Sequence, residues 1–303
     1  MSNYEYDFLR QQISILISDF TIEVTPFAAK KIDTFDGVLR LGTKVFITSL
    51  SGVDYSETIA LSKRLTKEGL CPVPHIAARN TPNKAFLDDL VCQLVDEAGI
   101  EEVLIIGGSV DSPIGDFSNS MQILETGIVD KYAIKRVGIA GHPEGSPVIS
   151  DEEISKALIW KNGFADRSDA DLYIVTQFCF EAEAIIAWER AIRAEGNQLP
   201  IRVGIPGIAS IKTLMNYAKS CGVGQSINFL KRQGWNAAKL ITTTAPDKQI
   251  IELALNKGED AEFGISGVHM YPLGGFKKTT DWMNSLLLKH FKIHEKIDGF
   301  TVG

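Results

Sequence analysis

Two side chains in this sequence stand where a reacting or recognising group would have to stand. Glu23 lies within Thr21-Ile22-Glu23-Val24-Thr25-Pro26, a carboxylic acid inside an apolar strand. Burial disfavours the charged form, so such a glutamate is expected to keep its proton to higher pH and suits general acid work near neutrality. The same pattern also fits a glutamate paired with a lysine or arginine inside a barrel. Gln177 closes the run Asp171-Leu-Tyr-Ile-Val-Thr-Gln, whose apolar, β-branched residues read as a strand buried on both faces. Ligands of parallel α/β proteins sit at the carboxyl ends of such strands, which makes Gln177 a candidate ligand contact.

Other strand ends carry polar groups of their own. Ile47-Thr48-Ser49-Leu50-Ser51-Gly52 offers hydroxyls for a phosphate or a ring carbonyl, and taken alone is only a turn. His75, in Val73-Pro74-His75-Ile76, occupies a place where a lone histidine is more often structural than ligand-binding. Gly107-Gly108-Ser109-Val110-Asp111 allows close backbone approach and presents N–H groups suited to an anion. Gly141-His142-Pro143-Glu144-Gly145-Ser146-Pro147 holds two ionisable groups in a stiff loop, and Val268-His269-Met270-Tyr271-Pro272 ends in a polar, aromatic tip. No Gly-x-Gly-x-x-Gly fingerprint or phosphate-binding P-loop follows any of the strands.

The elements that must position these residues alternate along the whole chain. Strands are predicted at 20–24, 44–48, 71–75, 102–106, 136–140, 171–177, 201–205 and 263–269. Helical patterns fall at 8–17, 56–68, 82–98, 151–161, 181–194 and 211–219, with two extra helices, 225–240 and 247–257, before the last strand. Eight strands in alternation with helices predict an α/β fold, a (β/α)8 TIM barrel rather than an open doubly wound sheet. No linker or composition break divides the chain, so one domain over residues 1–303 is expected. With 303 residues, 45% hydrophobic and 23% charged, a large core is available. A net charge of −7 and no basic patch argue against nucleic acid, and no apolar run is long enough for a membrane span. The four cysteines are scattered, with no Cys-x-x-Cys pair and no histidine at metal spacing, so thiols in a reducing cytoplasm and no metal site are expected.

Five of these segments, in order, resemble the methylenetetrahydrofolate reductase family. They are Ile22-Glu23-Val24-Thr25-Pro26, the His142-Pro143-Glu144 loop, Ile174-Val-Thr-Gln-Phe-Cys-Phe-Glu181, Arg202-Val-Gly-Ile-Pro-Gly-Ile208 and Val268-His-Met-Tyr271. The resemblance implies a TIM barrel carrying FAD, with hydride from NADH or NADPH reducing 5,10-methylenetetrahydrofolate to 5-methyltetrahydrofolate. By position, Glu23 matches the acid that opens the folate's imidazolidine ring, Gln177 the pterin contact, and Tyr271 a cleft tyrosine. An amide suits a pterin edge because it donates and accepts in one plane. Thr48 and His75 match flavin neighbours, His142 and Glu144 the loop flanking the adenosine half, Lys161 a lysine directed at the pyrophosphate, and Leu214 the phenylalanine after Pro-Gly-Ile. The family's Leu-Arg-Gly-Asp after strand four is here Gly107-Gly108-Ser109, which removes both charges. Gly108 and Ser109 are then the cofactor-binding positions, and Asp111 is the nearest replacement carboxylate. The family's Asn-Arg after strand eight is here Gly274-Gly275. A homo-oligomer is expected, with a folate as the small-molecule partner. Two alternatives go with these departures: hydride passing directly from NADH without a flavin, and a weakly active partner subunit of a one-carbon complex. A lyase or aldolase barrel would need a Schiff-base lysine or a metal cluster at a strand end, and the sequence supplies neither.

Overall fold

The computed structural model describes residues 3–49, 54–221 and 243–303. The helix expected at 225–240 and Leu50, Ser51 and Gly52 of the strand-two turn lie outside the described residues. Eight parallel strands form a closed barrel: β1 (Thr21–Val24), β2 (Lys44–Ile47), β3 (Cys71–Ala77), β4 (Glu102–Ile106), β5 (Arg136–Gly141), β6 (Asp171–Thr176), β7 (Ile201–Pro206) and β8 (Ile265–Tyr271). Each strand neighbours the next in sequence, and β8 neighbours β1, as a (β/α)8 barrel requires. Among the described residues no helix is long and apolar enough to cross a membrane.

Several boundaries move from their expected places, each for a hydrogen-bonding reason. β3 runs on to Ala77 because His75, Ile76 and Ala77 pair with Leu104, Ile105 and Ile106, so His75 lies inside a strand rather than at its tip. β8 starts two residues late, at Ile265. Phe263 N–H closes a turn onto the Asp260 carbonyl and Gly264 N–H is taken by Glu189 Oε1. It continues to Tyr271, which pairs with Pro206. β6 ends at Thr176, leaving Gln177 as the first residue beyond the strand.

The chain packs as two compact units, one of Met1–Phe20, Gly141–Ser155 and Thr176–Gly303, the other of Thr21–Ala140 and Lys156–Val175. In the second, register aligns Glu23 with Phe46 and Phe46 with Val73. Phe46, Val73, Leu104, Tyr173 and Val175 form one buried apolar cluster. Aligned strand residues project to the same side of a sheet, so Glu23 faces the side on which this cluster packs. At the amino ends of the strands Glu102 accepts from the Tyr173 hydroxyl at 2.6 Å and pairs with Lys44 at 2.5 Å. Gly138 makes room for this arrangement, since a Cβ there would stand 2.8 Å from Leu104 Cδ1 and 3.0 Å from the Tyr173 hydroxyl. Helix ends follow local chemistry: Asp54 caps Tyr55–Lys67 by accepting from Ser56 N–H, and Asn83 caps Lys84–Ala98 by accepting from Phe86 N–H. Gly99 ends the latter helix in the left-handed region, at φ 64°.

In the first unit the helix Asp247–Glu259 packs against Asn3–Ile17 and Ala182–Ala194. Gly258 lets the first contact close, because a Cβ there would meet the Phe8 ring at 2.8 Å. Two small antiparallel pairs complete it, Ala209–Ser210 with Thr243–Thr244 and Phe291–Ile293 with Phe300–Val302.

Candidate functional site

Within the second unit, Glu23 and Thr48 come together. Thr48 follows the last residue of β2, held by its N–H donating to the Val24 carbonyl at 3.1 Å. Its hydroxyl donates to Glu23 Oε1 at 2.5 Å, and both side chains are half-buried. This bond restrains the rotation of the carboxyl group. His75 is buried, with its ring edge-on to Phe46 at 6.0 Å.

The strand-four loop is shaped from the end of β3. Arg79 N–H donates to the Gly107 carbonyl, and its guanidinium donates to the carbonyls of Val110 and Ser118 at 3.2 and 3.0 Å. Gly108 takes φ 93°, a conformation that favours glycine, with Ala77 and Asn80 close beside it. Ser109 and Asp111 are exposed. Sequence reasoning missed Arg79, whose partners lie three to four tens of residues away in the chain.

Lys161 is 6% exposed in the helix Asp151–Ala165, and no carboxylate pairs with it among the described residues. Burial alone lowers its ammonium to about 8.

The remaining candidates belong to the first unit. Gln177 N–H donates to the Gly141 carbonyl at 2.9 Å, and Gln177 Oε1 accepts from Phe178 N–H at 3.0 Å. The amide acceptor is thus used internally, and the two Nε2 hydrogens have no partner among the described residues. Thr176 Oγ1 accepts from Gly204 N–H at 2.8 Å, while the Thr176 carbonyl accepts from the Tyr271 hydroxyl at 3.0 Å. Tyr271 meets the Phe178 ring at 5.5 Å and the His269 ring at 4.8 Å, both edge-to-face. Leu214, at 3% exposure, is buried in a cluster with Phe178, Phe180, Ala209, Met215 and Ala218, against which Tyr271 packs. Gln177, Tyr271 and Leu214 are therefore joined through Phe178.

His142 and Glu144 sit in a turn after β5, closed by Gly145 N–H donating to the His142 carbonyl at 3.0 Å. Burial pushes the Cys179 thiol well above the ordinary thiol range, and the neighbouring Glu144 carboxylate, which accepts from it, adds to the rise. A thiol held neutral in this way is a hydrogen-bond donor rather than a nucleophile.

A sequence model of the methylenetetrahydrofolate reductase family matches residues 34–285. The chain belongs to that family. Methylenetetrahydrofolate reductase 1 of Schizosaccharomyces pombe is 34% identical over 107 residues, 35% of this chain and 16% of that protein. Methylenetetrahydrofolate reductase 2 of Saccharomyces cerevisiae is 26% identical over 165 residues, 52% of this chain and 26% of that protein. The chain thus matches only a part of these longer family members. A solved structure of an uncharacterized protein from Clostridium thermocellum, which binds two copies of 5-methyl-5,6,7,8-tetrahydrofolic acid, has the same fold. The TM-score is 0.53 at 15% identity, over 89% of this chain and 98% of that one.

Reductases of this family are associated with a flavin, and the residues present fit one unevenly. Lys161 fits a phosphate-bearing cofactor, because a cation buried without a carboxylate gains from an anion beside it. The strand-four loop itself carries no cation; beside it, Arg79 has two of its five N–H donors committed to backbone carbonyls, and Asp111 is acidic.

Proposed function

We propose that this chain interconverts 5,10-methylenetetrahydrofolate and 5-methyltetrahydrofolate, with hydride exchanged with NADH or NADPH. The observation that carries the reading, within a chain of this family, is a half-buried carboxylic acid near the end of a barrel strand, Glu23, held in place by the Thr48 hydroxyl. Reduction needs a proton at the folate nitrogen that leaves the methylene bridge, so that the five-membered ring opens to an iminium ion whose carbon takes the hydride. The Glu23 carboxyl is the group assigned to that proton, and Thr48 keeps it from rotating away. Gln177 is assigned to the pterin, its Nε2 hydrogens turned outward because Oε1 already accepts from Phe178 N–H. Tyr271 supplies an apolar ring beside it, fixed by its hydroxyl on the Thr176 carbonyl, and Leu214 buttresses Phe178 behind.

Thr48, His75, Gly108, Ser109, Asp111, His142, Glu144 and Lys161 are the residues that would hold FAD. Held there, a flavin would supply hydride transfer between the nicotinamide cofactor and the folate. The strand-four loop favours a second reading, in which the hydride passes to the folate directly from NADH. The absorbance spectrum of the purified protein separates the two, since only a flavoprotein is yellow.

Glu23→Gln tests the assignment by keeping the size of the side chain and removing its acid. Folate reduction is expected to fall by about 10²–10⁴-fold, while 5-methyltetrahydrofolate binding and reduction of any bound flavin by NADH stay near wild type. Equal loss of all three would overturn the role of Glu23.

A further inference from the structure

We infer that Gln249, in the first turn of the helix Asp247–Glu259, is a positioning residue for Gln177. The inference rests on the folate-binding reading above. Gln249 is 4% exposed, and its Nε2 donates to the Cys179 carbonyl at 2.9 Å across 70 residues of sequence. Its Oε1 is buried and makes no hydrogen bond among the described residues. An acceptor left in that state costs free energy, and the same helix buries Ile250, Ile251, Leu253 and Ala254. An apolar residue would suit the position for packing alone. What the glutamine adds is one donor aimed at the loop that carries Gln177.

That donor completes a clamp. Cys179 N–H donates to the Gly204 carbonyl at 3.2 Å while its own carbonyl accepts from Gln249, so both sides of residue 179 are held. Two residues earlier, Gln177 N–H is held by the Gly141 carbonyl. Phe178, between these two anchors, then cannot swing, and its N–H stays on Gln177 Oε1. The direction in which Gln177 presents its Nε2 hydrogens is the outcome. Among the described residues, Gln249 is the member of this clamp that comes from a helix rather than from a strand or the loop itself.

Gln249→Met removes the donor and the unpaired acceptor together at similar volume. The loss at the Cys179 carbonyl and the relief at Oε1 offset one another, so Tm is expected to stay within about 2 °C of wild type. The Kd for 5-methyltetrahydrofolate is expected to rise about fivefold, and amide hydrogen exchange at Gln177, Phe178 and Cys179 to quicken by a similar factor. In a Gln177→Ala background, Gln249→Met should add nothing to the loss of affinity. A wild-type Kd and wild-type exchange in Gln249→Met would overturn the inference, as would a fall in Tm with no change in Kd. Additive losses in the double variant would overturn it too. If the wild-type protein binds no 5-methyltetrahydrofolate, the functional reading fails by itself. Hydrogen exchange, which needs no ligand, then still decides whether Gln249 holds the Gln177 loop.

Discussion

Replacing Lys161 by methionine should make the protein more stable at neutral pH, and by an amount that disappears in alkali. The ammonium is buried at 6% exposure, without a carboxylate beside it among the described residues, and burial brings it from 10.5 to about 8. At about 1.36 kcal/mol per pH unit, that drop corresponds to about 3 kcal/mol against the folded state at pH 7. The sign follows from proton counts. Between pH 8 and 10.5 the unfolded chain holds a proton that the folded chain has released, so stability rises with pH across that window. Below pH 8 the penalty is present in full, and above 10.5 it is gone. Methionine has a similar length and no charge, so Lys161→Met should recover most of that penalty at pH 7 and under about 1 kcal/mol at pH 10. For 303 residues, an unfolding entropy of about 2.1 cal/mol/K per residue turns 3 kcal/mol into a rise in Tm of about 5 °C. Thermal melts of both proteins at pH 7 and pH 10, without ligand, measure it. No gain at pH 7, or the same gain at both pH values, would refute the reasoning that an uncompensated charge is what position 161 carries.

Gly204→Ala should damage fold and site together, because its Cβ would lie 2.5 Å from the Thr176 carbonyl oxygen, 2.7 Å from Tyr271 Cε2 and 2.9 Å from the Gln177 carbonyl carbon. We expect a loss of about 2–3 kcal/mol in a denaturant titration and at least a tenfold rise in the 5-methyltetrahydrofolate Kd. Glu102→Gln should behave differently. It removes the charge that Lys44 faces at the amino ends of the strands, costing about 2 kcal/mol in the same titration while leaving folate affinity unchanged.

The barrel was legible because its strands are short apolar runs spaced by helical patterns, and a closed parallel sheet needs little else to be recognised. The polar tips were legible for the same reason, as Glu23, Thr48, Gln177 and Tyr271 each stand at or near the end of such a run. Strand ends were less so. Whether His75 and Tyr271 lie inside or beyond their strands depends on which partner residues they align with, here Leu104 and Pro206, and no local pattern encodes that. Contacts between distant side chains were not legible at all. Gln249 reads as one polar residue in a helix, Arg79 as a charge after a strand, and Tyr173 as a core aromatic, until the fold brings each to Cys179, to the strand-four loop and to Glu102.

The same distinction bears on the strand-four loop. In sequence, Gly107-Gly108-Ser109 in place of Leu-Arg-Gly-Asp is a subtraction: two charges fewer where the family places them. In the structure Arg79 is present next to that loop, yet its guanidinium is turned to the carbonyls of Val110 and Ser118. An arginine with those donors satisfied by backbone has fewer N–H groups to offer a phosphate. The loop is therefore held in shape by Arg79, with two of that residue's five donors. On the reading in which this chain holds FAD, Lys161 is the buried cation assigned to the pyrophosphate. That makes Lys161→Met informative twice over, since a flavoprotein should lose its cofactor by the same substitution that stabilises the ligand-free fold.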